Sequence, residues 1–229
     1  MKQILKVLVG SRAHGLNTPE SDYDWRAVFV TPTSEILSLG AKPDQTTWIE
    51  GKEDNTSFEI GKFLFMATKC NPTILEMFKA EPSHDFSDNY SEEGFAHFGR
   101  DLQALFPHIW DPKLVMDAFV DYGLNQRKKF LEDKDVRPAK YACAYLRTLI
   151  IAHQLLTTGD FTLKVTDTPW RQTLLKWRGS EYSKGEVIDT CIHWEKAVRQ
   201  AYEENPTNPK RDLDKVNQFL LKIRKENWL

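Results

Sequence analysis

From residue 4 to residue 9 the chain is mostly apolar, rich in β-favouring side chains, and stops at Gly10, a pattern that predicts a buried strand opening the fold. Residues 10–24 follow as a polar, turn-rich loop. β-Branched and aromatic residues return over 25–31 until Pro32, which reads as a second strand. A weaker pair of strand patterns, 47–50 and 55–58, flanks Gly51-Lys52 and predicts a hairpin. Over 59–69 the apolar residues Ile60, Phe63, Leu64, Met66 and Ala67 take helical spacing until Asn71-Pro72 interrupts, and a short second helix is expected over 74–80.

Helical periodicity dominates the remainder, over 112–131, 138–157, 170–177, 183–203 and 212–226, with 161–165 as the one later stretch of strand character. The change from α/β to all-α falls near residues 80–110. The segment 81–93, with Pro82, Ser83, Ser87 and Ser91, reads as the connecting loop, dividing the chain into 1–95 and 96–229. No internal repeat or low-complexity tract is present.

Composition narrows this picture only a little. With 41% hydrophobic and 12% aromatic residues among 229, the chain has the make-up of a globular protein and not of a disordered one. Its 31 basic and 33 acidic residues give a net charge of −2, so there is no global footprint for nucleic acid or an anionic membrane, and any such contact must use a local patch. Cys70, Cys143 and Cys191 are isolated, with no C-x-x-C spacing, which fits buried reduced thiols of a cytosolic protein better than a disulfide framework or zinc site. No cleavable apolar leader is read at the N-terminus, and no stretch reaches the ~18 apolar residues that span a bilayer. The expectation is a cytoplasmic protein without a membrane partner.

The chemistry concentrates in Gly10-Ser11-Arg12-Ala13-His14-Gly15-Leu16 and Ser21-Asp22-Tyr23-Asp24-Trp25-Arg26. A Gly-Ser turn directly after a strand offers backbone N–H groups and a hydroxyl to the phosphates of a triphosphate, and glycine allows close approach. Asp22 and Asp24, one residue apart, would in an extended segment project to one face about 6–7 Å apart. Such hard oxygen ligands suit Mg²⁺ or Mn²⁺, and a two-metal site would activate an attacking hydroxyl and neutralise a leaving pyrophosphate. Alone, D-x-D is usually a solvated turn and a Gly-Ser pair says less still. The order strand, Gly-Ser, ten residues, D-x-D, strand is what carries the signal.

This arrangement resembles the DNA polymerase beta-like nucleotidyltransferase superfamily, and G-S-R-A-H-G-L with S-D-Y-D-W-R is similar to the predicted nucleotidyltransferases associated with RNA ligases. Glu59-Ile60, Lys62-Phe63-Leu64, Asn71-Pro72 and Leu75-Glu76 continue the likeness, with weaker echoes at Tyr145, Arg147, Arg178-Gly179 and Glu186-Val187. The resemblance implies an α+β fold: a small mixed β-sheet core with helices carrying the catalytic acids over 1–95, then a mainly α-helical region over 96–229 that shapes the nucleotide and acceptor pocket. It also implies a third carboxylate from a later strand. Asp54, entering the inferred hairpin strand, is favoured over Glu59 at the strand-to-helix junction, so the expected metal and catalytic set is Asp22, Asp24 and Asp54.

Other residues stay open between two roles. Arg12 and Arg26 either clamp phosphate or orient the aspartates. His14 touches nucleotide or hydrogen-bonds within its loop. Asn71 reads as a helix cap and Glu76 as an anchor for that helix. The basic run from Arg127 to Lys129, continued by Lys134, Arg137, Lys140 and Arg147, is a solvated face or a nucleic-acid contact. Lys140 and Arg147, seven apart on one helical face, are the better pocket candidates, together with Tyr145. Trp170, Trp177 and Trp194 stack on a base or pack in the core. The expected reaction is transfer of a nucleotide from a nucleoside triphosphate to a hydroxyl, with an RNA end as the acceptor the resemblance implies. A small-molecule or protein acceptor, and a nucleotide-binding regulator without turnover, are the alternatives.

Overall fold

The computed structural model describes residues 1–48, 55–83, 97–165, 168–204 and 209–229. The first apolar run forms β1 (Lys2–Val9), which pairs antiparallel with β2 (Asp24–Val30) after a bulge between Gln3 and Leu5. β2 pairs parallel with β4 (Thr56–Glu59), and β3 (Thr46–Trp48) pairs antiparallel with β4, so the sheet is mixed with the order β1-β2-β4-β3. The Thr47↔Ser57 pairing is the expected hairpin, while its Gly51-Lys52 turn and Asp54 lie outside the described residues.

Pleat alternation sorts the sheet into two faces. Val9, Val7 and Leu5 stand opposite Asp24, Arg26 and Val28, and Val28 and Val30 join the main core. Ala27 and Phe29 face the other way, level with Ser57 and Glu59 on β4.

α3 (Ile60–Ala67) starts where Glu59 accepts from the Gly61 N–H at 2.7 Å, and α4 (Pro72–Leu75) where Asn71 accepts from Thr73 and Ile74. A 3₁₀ turn, Glu76–Phe78, completes the helix expected over 74–80. α5 (His97–Ala104) and α6 (Phe106–Ile109) lead into α7 (Pro112–Leu131), which has proline in its first turn and the Asp111 carboxylate on the Leu114 N–H. α8 (Pro138–Thr158) ends at Gly159, whose φ of 80° closes it in the left-handed region. α9 (Arg171–Arg178), α10 (Lys184–Glu204) and α11 (Leu213–Glu226) complete the helical part. α7 and α8 approach closely at Gly123, where an added Cβ would stand 3.3 Å from the Tyr145 ring.

One apolar cluster runs from Ile4 on β1 through Trp110 and Phe130 to Ile223 on α11. The chain's last helix returns to its first elements: α2 (Thr33–Leu37) begins with Thr33 and Ser34 donating to the Asn227 and Trp228 carbonyls at 2.8 and 3.0 Å.

Three expectations differ from the structure. Residues 10–13 form a one-turn helix, α1 (Gly10–Ala13), where a loop is expected. Residues 161–165 have the buried-exposed alternation of a strand but no ladder; Phe161, Leu163 and Val165 are buried, and Val165 donates its N–H to the His14 carbonyl at 3.0 Å. α2 and α6, of five and four residues, are too short to leave a periodic signal, and α5 falls in the stretch 80–110 read as the change between the two parts. Most of the 81–93 loop, and the 95/96 boundary, lie outside the described residues. All three cysteines are buried and unpaired, and no helix among the described residues is long and apolar enough to cross a membrane.

Candidate active site

β1 delivers the chain to Gly10, where φ is +69° and an added Cβ would meet the Asp24 Oδ2 at 2.2 Å. The Asp24 carboxylate therefore occupies the space a side chain at position 10 would need, and only glycine joins the turn to the acid in this way. Val9 pairs with Asp24 as the last rung of the β1–β2 ladder, so the sheet sets that approach. Asp22 lies two residues upstream on an exposed segment.

That segment is held by Arg12, whose guanidinium donates to the Ser21 carbonyl at 2.7 and 3.0 Å and to the Asp22 carbonyl at 3.3 Å. It also stacks on Tyr23, 3.9 Å from the ring centroid. Of its two open roles, the structure thus gives Arg12 the fastening of the aspartate loop. Arg26, on the same sheet face as Asp24, donates to the Thr73 carbonyl at 3.2 Å.

Gly10, Ser11, Asp22, Asp24 and Arg26 line one wall of a cleft of 760 Å³, a volume in the range of small-ligand sites. The facing wall is cationic. α8 contributes Lys140, Ala144 and Arg147 on one helical face, and Arg137 and Arg178 add two more guanidinium groups. Tyr122 and Gln126, one turn apart on α7, also line it. Acids on the sheet side and cations on the helical side form a complementary pair of surfaces for a metal-bound polyphosphate.

The two walls are tied beneath the cleft by His14, Glu76 and Arg147. Glu76 is 7% exposed; its Oε2 stands 3.2 Å from the His14 Nε2 and its Oε1 accepts from the Arg147 guanidinium. Burial opposes the Glu76 charge, but Arg147 and then His14 overcome that and hold the carboxyl well below the usual range. Burial, and then Arg147, push the His14 pKa down against the pull of Glu76, so His14 is the neutral donor of the trio.

The remaining expected residues divide cleanly. Lys140 and Arg147 reach the cleft, whereas Tyr145 is fully buried and donates to Glu195 on α10. Trp170 stacks edge-on to Trp194 at 5.0 Å, and Trp177 is buried with its indole N–H on Glu186, so these rings pack within the helical part. Glu59 stands on the opposite sheet face from Asp24, where both its oxygens engage Arg224 at 2.7 and 2.9 Å. Asp54 lies outside the described residues; the next residue, Asn55, accepts from the Trp25 N–H at 2.9 Å beside Asp24. Tyr122 is a cleft residue that sequence reasoning passes over, its only signal being the i, i+4 relation to Gln126 on α7. Among the described residues no group of three carboxylate, imidazole or thiol side chains converges as a metal site, but the Asp22 and Asp24 carboxylates are hard oxygen donors of the kind Mg²⁺ or Mn²⁺ takes.

An uncharacterized protein of Bacillus subtilis (strain 168), YcgL, is 25% identical over 250 residues, covering all of this chain and 92% of that protein. An uncharacterized 38.9 kDa protein of Enterobacteria phage T4, from the nrdC-mobD intergenic region, is 32% identical over 90 residues, 36% of this chain and 27% of that one. No solved structure matches. The model of the RNA repair pathway DNA polymerase beta family, RlaP, matches residues 1–222, taking in the Gly-Ser turn, both aspartates and the cationic helical wall. The chain therefore belongs to the RlaP family of DNA polymerase beta-like proteins, which supports a nucleotidyltransferase-type role.

Proposed function

We propose that the protein is a metal-dependent nucleotidyltransferase that moves a nucleotide from a nucleoside triphosphate to a hydroxyl of an RNA end. The observation that carries this is the meeting, in one cleft, of the Gly10-Ser11 turn and the paired aspartates with the cationic face of α8. The acceptor hydroxyl gives its proton to the third carboxylate, assigned to Asp54, as its oxygen bonds the α-phosphorus; the bond from that phosphorus to the α–β bridging oxygen breaks, and pyrophosphate leaves. Lys140 and Arg147 face the cleft where they can take the triphosphate oxygens, and the Ser11 hydroxyl lies at its sheet-side wall. A divalent cation held by Asp22 and Asp24, with Asp54 as third carboxylate, would supply charge neutralisation at the phosphates and a more acidic acceptor hydroxyl.

Asp54 is preferred over Glu59 because Asn55, directly after it, sits beside Trp25, whereas Glu59 faces away and is occupied by Arg224. An RNA acceptor draws support from the family description and from the local cations on a chain whose net charge is −2. The three unpaired thiols support a cytoplasmic setting.

Purified protein incubated with each labelled triphosphate, Mg²⁺ or Mn²⁺ and total RNA is expected to transfer label to RNA in a metal-dependent way. Label on protein or a small molecule would reassign the acceptor. Triphosphate binding without any transfer would leave a regulatory nucleotide-binding protein in its place.

A further inference from the structure

The two residues of α7 that line this cleft, Tyr122 and Gln126, carry no charge. Gln126 is only 5% exposed and lines the cleft, and its carboxamide makes no hydrogen bond to any described residue. A carboxamide on so enclosed a side chain, with two donor hydrogens and an acceptor oxygen, normally finds protein partners, and here its polar atoms are left to the cleft alone. Tyr122, one turn earlier on α7, also lines the cleft without a hydrogen bond to a described residue, and burial keeps its phenol protonated as a donor. Across from them α8 places the small Ala144 between the charged Lys140 and Arg147, so the helical wall is locally short.

We infer that Gln126 and Tyr122 form a subsite for the nucleobase of the donor triphosphate, with the Gln126 carboxamide as the specificity-determining group. The inference rests on the proposed transferase reading and adds which part of the substrate these residues meet. The phosphates are matched by the cations and the metal by the aspartates. The part of the same ligand that is neutral, flat and furnished with adjacent donors and acceptors is the base. A carboxamide presents a donor and an acceptor in one plane and pairs with such an edge at both points, which is how glutamine reads adenine in nucleic-acid complexes. An aromatic ring beside it gives the base face a surface to rest on.

The test measures binding of ATP, GTP, CTP, UTP and inorganic tripolyphosphate by calorimetry, with Mg²⁺ present, to wild-type protein and to the Gln126→Met and Tyr122→Phe variants. Circular dichroism and thermal unfolding establish that each variant is folded. Wild-type protein is expected to rank the four triphosphates. Gln126→Met, which keeps length but removes both hydrogen-bonding functions, should weaken the preferred triphosphate by roughly 5- to 150-fold, flatten the ranking and leave tripolyphosphate binding unchanged. Tyr122→Phe should lower affinity for all four less than Gln126→Met lowers it for the preferred one. Equal weakening of all four triphosphates by Gln126→Met would assign the amide to ribose and overturn the inference, as would an unchanged ranking or a parallel loss of tripolyphosphate. If wild-type protein bound neither tripolyphosphate nor any nucleotide, the transferase reading itself would fall, a different result from nucleotide transfer that ignores Gln126.

Discussion

Replacing Glu76 should cost the fold a large part of its stability. Its carboxylate is buried between His14 and Arg147, whose side chain is itself only 11% exposed, so Glu76→Gln leaves a guanidinium without its counter-charge in a poorly hydrated place. Breaking a buried pair from one side costs ~3–5 kcal/mol, a large share of the ~5–15 kcal/mol that holds a domain folded. For a chain of this length that corresponds to a fall of roughly 6–20 °C in Tm. Equilibrium urea unfolding gives the free energy, and differential scanning calorimetry the Tm. The double variant Glu76→Leu with Arg147→Met removes the ion pair and should recover part of the loss, the remainder being the His14 N–H left without its acceptor. A Glu76→Gln protein within ~0.5 kcal/mol of wild type, the range of ordinary surface changes, would refute the view that this carboxylate neutralises Arg147.

Asp22→Asn and Asp24→Asn should each abolish label transfer while thermal unfolding stays cooperative; near-normal turnover in either would remove that aspartate from the metal set. Gly10→Ala forces a Cβ against Asp24 at a backbone angle that L residues rarely adopt, so it should lose transfer activity and ~1–3 kcal/mol of stability, and an active, fully stable variant would contradict the close approach described. Asp54→Asn should lower the transfer rate by ~10²–10⁴-fold, whereas Glu59→Gln should mainly destabilise the fold by freeing Arg224, and the reverse pattern in rate and melting data would exchange their roles. His14 is held neutral in the folded state while the unfolded chain takes up a proton, so stability should fall as pH drops below about 6.5 and stop falling beneath the folded value; His14→Gln should flatten that slope in pH-dependent urea titrations.

Where local chemistry decides a structure, the sequence reads well. The α7 span agrees with its expected residues because Asp111-Pro112 marks its start as cap and first-turn proline. The strands on either side of the Gly-Ser turn follow from their β-branched runs, and the turn itself from a glycine that nothing else can replace. What stays hidden is set by pairing across the chain. Arg12 stays open between phosphate and the aspartate loop until its carbonyl partners at Ser21 and Asp22 appear. Glu76 and Arg147 are 71 residues apart, and no spacing rule joins them. Residues 161–165 alternate as a strand does, but alternation reports burial on one side and says nothing of a neighbour to complete a ladder. Tyr122 is one aromatic among many on amphipathic helices until the cleft gives it a side.

The return of α11 to the sheet sets an order of events during synthesis. Arg224, which answers the buried charge of Glu59, follows it by 165 residues, and the Asn227 carbonyl that receives the Thr33 N–H comes later still. A ribosome-bound chain carrying β1 to β4 would hold both groups unanswered, so the sheet that presents Asp24 gains its full stability only when residues past 224 have emerged. Premature termination before α11 should therefore yield a protease-sensitive fragment and not a small working catalytic unit.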